Sequence, residues 1–127
     1  MIQTLVQLTP FFPTQLVKLG SRGVVSLRRV PTNTSTAAAQ PSTSTMTHSS
    51  STATLHLTFH PPTKLSPEEI VSSTGAGDSL VGAVIAGLGT DASWEAVVER
   101  GQRAARESLR SGEAVGRGVG VGEGWGL

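Results

Sequence analysis

The sequence contains no cysteine, few charged residues and no long hydrophobic segment. Of its 127 residues, 15% are charged, well below the roughly 25% of an ordinary globular protein. Without cysteine, neither a disulfide framework nor a thiolate zinc site can form. No apolar run approaches the roughly 18 residues of a membrane-spanning helix. The formal net charge of +1 argues against nucleic acid or an anionic membrane as a partner.

These absences also bear on location. The absence of cysteine is compatible with a reducing cytosol. The first six residues, Met1–Val6, lack the basic region that opens a secretory signal. We therefore expect the chain to be cytoplasmic.

Two biased segments limit the part of the chain that can pack. Residues 32–54 consist almost entirely of Ser, Thr and Ala, which bury too little apolar area to offset the entropy of ordering them. We expect a disordered surface insertion there. Residues 116–127 are rich in glycine without a packing period, which predicts a flexible tail. The sequence of residues 1–14 does not distinguish a helix from a strand. We therefore place the expected compact domain at residues 15–115.

The compact part begins with a hairpin. Gln15–Leu19 reads as a buried strand, Gly20–Gly23 as a turn and Val24–Arg28 as the returning strand. A further strand is predicted where apolar residues alternate over Leu55–His60. Its histidines lack a third ligand nearby, so we interpret them as surface or edge-strand residues and expect no metal site.

Two helices are predicted in the second half of the chain. The first, ending near Leu88, is apolar on nearly every face and should be buried, with close packing at Gly82 and Gly87. The second, from Trp94 to Gly112, is amphipathic, with its arginines on a solvated face. Ser66 and the proline after it predict a helical turn upstream of both.

A loop of small residues, Gly75-Ala76-Gly77, leads directly into the first of these helices. The first N–H groups of a helix have no intrahelical partner, and the helix dipole places partial positive charge there. Small residues leave room for a phosphate to approach those donors. Asp78 follows, and a carboxylate beside an anion site is costly unless it has a role. It could accept a proton from an attacking hydroxyl group while the loop stabilises charge on a transferred phosphoryl group.

The run from Ser72 to Ala83 resembles the second signature of the PfkB (ribokinase-like) carbohydrate and nucleoside kinases. This resemblance implies that Asp78 is the catalytic base and that the loop Gly75-Ala76-Gly77 is the anion hole. Ser72 stands where many members have an aspartate that helps to hold a monovalent cation. Activation by a monovalent cation is therefore in doubt.

The hairpin carries a second resemblance. The run Leu16–Val24 looks like the strand and turn that contact ATP in this family, which implies that Lys18, Gly20 and Gly23 lie near the nucleotide. The alternative is a plain hairpin with a glycine turn. In this family, the second helix lines the adenine side of the nucleotide pocket. When the sequence is aligned from the catalytic base onward without a gap, Gln102 falls at that position. The implied cofactors are ATP and Mg²⁺.

The resemblance covers residues 15–31 and 55–115, which correspond to the C-terminal part of such a kinase. It implies an α/β fold, namely the C-terminal fragment of a ribokinase-like three-layer α/β/α sandwich with two helices packed on a few strands. The implied substrate is a small-molecule sugar or nucleoside, and the motifs look most like those of pseudouridine kinases. Association with a missing N-terminal half or with further copies is expected. The alternative is a non-catalytic truncated remnant that binds only nucleotide or a partner chain.

Overall fold

The computed structural model describes residues 1–31, 44–49 and 53–113. The chain divides into two compact units, residues 1–62 and residues 63–127. In the described part of the chain, no helix is long and apolar enough to cross a membrane.

In its described residues, the first unit contains one α-helix and an antiparallel sheet. The helix, α1, spans Ile2–Leu8, which settles the ambiguity between helix and strand at the start of the chain. The sheet has four strands in the order β1-β2-β4-β3. Their bounds are β1 Thr14–Lys18, β2 Val24–Pro31, β3 Ser44–Ser49 and β4 Ala53–His60.

The predicted hairpin is confirmed, and β2 is buried on both faces over Val24–Leu27. β1 and β2 pair antiparallel with Lys18 opposite Val24. Leu5 of α1 packs against Val25 and Leu27 of β2, and all three side chains are buried. Partly buried apolar residues complete this cluster: Val17, Leu19, Leu55 and Leu57.

The strand β3 corrects part of the predicted disordered insertion. Residues 44–49 form β3, and Ala53 and Thr54 belong to β4. The composition argument counted only apolar burial, whereas β3 is held by backbone pairing with β4, which does not depend on apolar side chains. Threonine also favours strands because its side chain is branched at Cβ. The rest of 32–54 and the predicted tail 116–127 lie outside the described residues.

Over residues 63–113, the part that the structure describes, the second unit contains a capped turn followed by two α-helices. The turn spans Pro67–Glu69, after Ser66 as predicted. Helix α2 spans Ala76–Leu88, and helix α3 spans Trp94–Arg110. Ser93 caps α3, because its side chain accepts a hydrogen bond of 3.3 Å from the N–H of Ala96. The amphipathic pattern of α3 is confirmed by its buried residues: Val97, Val98, Gly101, Ala104 and Ser108.

Helices α2 and α3 approach each other closely at two glycines. A Cβ atom added to Gly87 would lie 2.9 Å from Cγ1 of Val97, and one added to Gly101 would lie 2.7 Å from Cγ2 of Val84. The close packing predicted at Gly87 is therefore confirmed. The same prediction is wrong at Gly82, where an added Cβ would meet no atom within 4 Å.

The prediction that α2 is buried on nearly every face is also wrong. Leu80, Ala83 and Val84 are buried, but Ile85 and Leu88 are 64% and 61% exposed. The apolar pattern of α2 shows which of its surfaces are hydrophobic. Among the described residues, the face of α2 that is covered is the face toward α3. Taken together, the sheet and the helix pair are consistent with a fragment of an α/β fold. The three-layer sandwich, the packing of the helices on the strands and the domain bounds stay predictions.

Candidate phosphate-binding site

The junction between the small-residue loop and α2 has the predicted local geometry. Gly75 precedes the helix with φ of 81°, a left-handed conformation that favours glycine. The first bond across this turn runs from the N–H of Ser79 to the carbonyl oxygen of Gly75 at 2.8 Å. The N–H groups of Ala76, Gly77 and Asp78 precede this first helical bond, and no side chain among the described residues caps the helix. Backbone donors at a helix start can bind an anion such as phosphate.

Asp78 lies in the first turn of α2, and it is exposed. An acid in this position stabilises a helix through the helix dipole, by about 0.3–1 kcal/mol, whatever else it does. Its exposure also leaves the carboxylate accessible to a ligand at the helix start. The geometry is thus compatible with both the structural role and the predicted catalytic role.

The segment that enters the loop is fixed to the end of α3. The carbonyl oxygen of Leu109 accepts hydrogen bonds from the N–H groups of Val71 and Ser72, at 2.8 and 3.2 Å. The hydroxyl of Ser72 in turn accepts a bond of 3.2 Å from the N–H of Thr74. Ser72 therefore has a local structural role where many family members have an aspartate.

An ion pair between Glu69 and Arg110 adds a second connection to α3. Glu69 also accepts hydrogen bonds from the N–H of Ser66 at 3.0 Å and from its hydroxyl at 3.1 Å. These interactions, the backbone bond from Ser66 first, lower the pKa of Glu69 from 4.5 to about 2. The arginines of α3 were predicted to form a solvated face. Arg103 and Arg110 are exposed as predicted, whereas the Nε atom of Arg106 is buried.

The residues predicted to lie near the nucleotide fall in both units. Lys18 is exposed at the end of β1, whereas Gln102 is half-buried on α3. Gly20 and Gly23 have φ of 61° and 99°. A Cβ atom at Gly23 would lie 2.4 Å from the carbonyl oxygen of His60. The turn therefore requires glycine for structural reasons, and the nucleotide roles of these four residues stay predictions.

The interpretation of the β4 histidines as surface or edge residues is wrong. β4 lies between β2 and β3, and His60 is buried with its Nε2 2.9 Å from the hydroxyl of Ser26. His56 is half-buried. Alternation along one strand cannot show that another strand pairs on each side of it. In the described part of the chain, no three His, Cys, Asp or Glu side chains are grouped to hold a metal ion.

Ser79 is a buried polar residue next to the site, and no sequence pattern indicates its burial. Its side chain is 5% exposed, and its hydroxyl has no hydrogen-bond partner among the described residues. A serine next to a carboxylate at a helix start reads as an ordinary polar residue. Its burial becomes visible only in the folded structure.

Comparison with known proteins identifies the chain. Residues 47–116 match the model of the pfkB family carbohydrate kinases. This region includes the loop Gly75–Gly77, Asp78 and Gln102. No curated protein and no solved structure matched the chain. Because the family model matches more than half of the sequence, the chain belongs to the pfkB family of carbohydrate kinases.

Proposed function

We propose that this chain is the nucleotide-binding and catalytic C-terminal part of an ATP-dependent kinase that phosphorylates a hydroxyl group of a sugar or nucleoside. The observation that carries the proposal is the start of α2. The first N–H groups of the helix, which no side chain of the described residues caps, lie there beside the exposed carboxylate of Asp78, within the region that matches the family.

Each part of this junction has a chemical task in phosphoryl transfer. The N–H groups of Ala76, Gly77 and Asp78 stabilise negative charge on the transferred phosphoryl group, with help from the helix dipole. The Asp78 carboxylate accepts the proton of the attacking hydroxyl, which typically contributes about 10²- to 10⁴-fold in rate. Mg²⁺, bound to the ATP phosphates, would neutralise part of their charge.

The remaining contacts are proposed on the family resemblance. Lys18, Gly20 and Gly23 would approach the nucleotide from the hairpin, and Gln102 would line the adenine side. Pseudouridine is the proposed substrate because the motifs look most like those of its kinases. A cytoplasmic location is proposed with it.

The substitution Asp78→Asn tests the catalytic role. Phosphorylation of pseudouridine, ribose and adenosine is measured with Mg-ATP, and ATP affinity is measured by calorimetric titration. We expect turnover to fall by at least about 10²-fold while ATP affinity is retained. Asp91→Asn is the matched control, because Asp91 is an exposed acid between the helices. Unchanged turnover in Asp78→Asn would remove this residue from the mechanism.

A second candidate function is supported by the exposed apolar face of α2. Val81, Ile85 and Leu88 are 44%, 64% and 61% exposed, and Ile70 and Val71 add further exposed apolar surface. A patch of this kind marks an interaction surface. The second candidate is therefore a non-catalytic remnant that binds nucleotide or a partner chain, either a missing N-terminal half or another copy.

Two measurements separate the candidates. Binding of Mg-ATP by this chain without turnover supports the remnant, and turnover by this chain contradicts it. Sedimentation then tests association. Ile85→Glu places a charge on the exposed face and should abolish any self-association, whereas Glu95→Gln, at an exposed position on α3, should leave it unchanged.

A further inference from the structure

The first unit has an open pocket between the end of α1 and the sheet. α1 has seven residues and β2 has eight, so the helix is about 10 Å long and the strand about 26 Å. The helix can therefore cover only part of the strand. The pocket has a volume of about 400 Å³, within the roughly 300–1,000 Å³ of small-molecule sites. Its lining comes from α1, from the two residues after it and from β2, β3 and β4.

The sheet side of the pocket contains a row of three residues on three neighbouring strands. Leu55 of β4 pairs with Arg29 of β2 and with His48 of β3, and all three line the pocket. Because side chains alternate between the faces of a strand, this row shares the face of Leu27 and Leu57. Both of those leucines belong to the core cluster, and Leu55 packs against it. The apolar core therefore continues into the pocket, where a cation and a histidine flank it.

Arg29 and His48 are both exposed, so a ligand can reach them. Among the described residues, neither side chain makes a hydrogen bond or an ion pair. Residues 1–62 contain no aspartate or glutamate, so no carboxylate of this unit can neutralise the arginine. A cation in a concave apolar surface without an acidic partner attracts anions. The hydroxyl of Thr9 in the same pocket is already used, because it donates to the carbonyl oxygen of Leu5 at 3.0 Å.

The donors of the pocket suit a carboxylate. Residues directly opposite each other in an antiparallel pair have Cβ atoms about 4.5–5.5 Å apart, so Arg29 and His48 stand about 10 Å apart on either side of Leu55. A carboxylate above the leucine can accept two parallel hydrogen bonds from the guanidinium group and another from an imidazole N–H. One permanent positive charge matches the single charge of a carboxylate. A polyphosphate would leave negative charges without a partner against apolar walls.

The other walls of the pocket suit an apolar ligand body. Four of the lining residues are apolar: Val6, Pro10, Ala53 and Leu55. Small-molecule sites are typically lined in this way, with a few polar groups that fix the orientation of the ligand. A cavity of about 150 Å³ already admits benzene, so this pocket has room for a short aliphatic chain or a single ring.

We propose that this pocket binds a small carboxylic acid with an apolar body. Arg29 pairs with the carboxylate, His48 donates a further hydrogen bond to it, and the apolar body lies against Leu55 and Val6. The pocket is at the opposite end of β2 from Gly23, which is the turn assigned to the nucleotide. The site therefore does not rest on the proposed kinase function.

The test uses hexanoate, titrated at fixed ionic strength into the whole chain and followed by nuclear magnetic resonance. Arg29→Gln should weaken binding by at least about tenfold, and His48→Ala by about two- to tenfold. Arg22→Gln is the matched control, because Arg22 is exposed and lies in the turn before β2. It removes the same charge and should change the dissociation constant by less than about twofold.

Three outcomes would overturn the role of the charges. The first is absence of hexanoate binding to the unsubstituted chain. The second is equal weakening by Arg29→Gln and Arg22→Gln, which would mean diffuse attraction by net charge. The third is equal binding of hexanamide, which has the same chain without the charge and should bind at least about tenfold more weakly. In the unsubstituted chain the largest shifts should fall on Leu55 and His48, a readout that needs no variant, and shifts elsewhere alone contradict the site.

Two comparisons test the apolar part of the ligand. Hexanoate should bind more tightly than butyrate, by up to about fourfold for each added methylene group, and equal affinities would contradict the proposal. Val6→Ser should weaken hexanoate binding, whereas Ile2→Ser, one turn earlier on α1 and 50% exposed, should not. Inorganic phosphate is titrated in parallel. Tighter binding of phosphate than of hexanoate would overturn the assignment to a carboxylic acid.

Discussion

Substituting alanine for Gly101 tests the contact between α2 and α3 directly. A Cβ atom at this position would lie 2.7 Å from Cγ2 of Val84 and 3.1 Å from the carbonyl oxygen of Leu80. The valine is stiff because its side chain is branched at Cβ, and the carbonyl belongs to the helix backbone. Neither atom can move away without shifting α2 as a whole.

Two opposing effects set the magnitude for Gly101→Ala. Alanine in a helix interior is favoured over glycine by about 0.8–1.0 kcal/mol, whereas inserting a methyl group into a tightly packed contact costs about 1–3 kcal/mol. The packing cost should exceed the propensity gain, which leaves a net loss of about 1 kcal/mol. Gly82→Ala is the matched control, since an added Cβ there meets nothing within 4 Å. It should raise stability by up to about 1 kcal/mol.

Thermal unfolding followed by the helical circular dichroism signal measures both variants. A change of 1 kcal/mol shifts the Tm of a domain of this size by roughly 4–8 °C, so the two variants should move in opposite directions. If Gly101→Ala raised the Tm as much as Gly82→Ala, the close approach of the two helices at Gly101 would be wrong.

Three further predictions concern the turn, the sheet and the hairpin. The pKa of Glu69 is about 2 in the folded chain against 4.5 ordinarily, so its stabilising contribution is complete above about pH 4.5 and is lost as the pH falls toward 2. The Tm difference between the unsubstituted chain and Glu69→Gln should shrink over that range, and a constant difference would contradict it. Ser26→Ala removes the hydrogen bond to His60 and should lower the free energy of unfolding by about 0.5–1.5 kcal/mol, measured by urea denaturation; no change would mean that the bond adds nothing. Gly23→Ala should destabilise more than Gly20→Ala, because both have positive φ but only Gly23 lies against a backbone oxygen; equal Tm losses would contradict the close approach.

The elements that could be predicted from the sequence are those with local signals. The hairpin turn needs glycines, the turn after Ser66 has its cap and its proline, and α3 has a strict apolar stripe. Each of these signals acts within a few residues of the element that it specifies. The start of α2 belongs to the same class, because small residues followed by an apolar run mark the junction.

The elements that could not be predicted depend on distant partners. β3 is poor in apolar residues and exists through its pairing with β4. The burial of His60 depends on Ser26, which lies 34 residues earlier in the chain. The exposed face of α2 also depends on a distant partner. Its sequence shows that the surface is hydrophobic, but it does not show which chain covers that surface.

The structural role and the catalytic role of Asp78 predict different outcomes for Asp78→Asn. An acid in the first helical turn is favourable for the dipole whether or not a phosphoryl group is ever transferred. The two roles differ in what they stabilise: the dipole interaction stabilises the folded chain, and a base stabilises only the transition state. Asp78→Asn therefore lowers the Tm and leaves the chemical step unchanged in the first case. In the second, it reduces turnover much further than any loss of folded protein can explain.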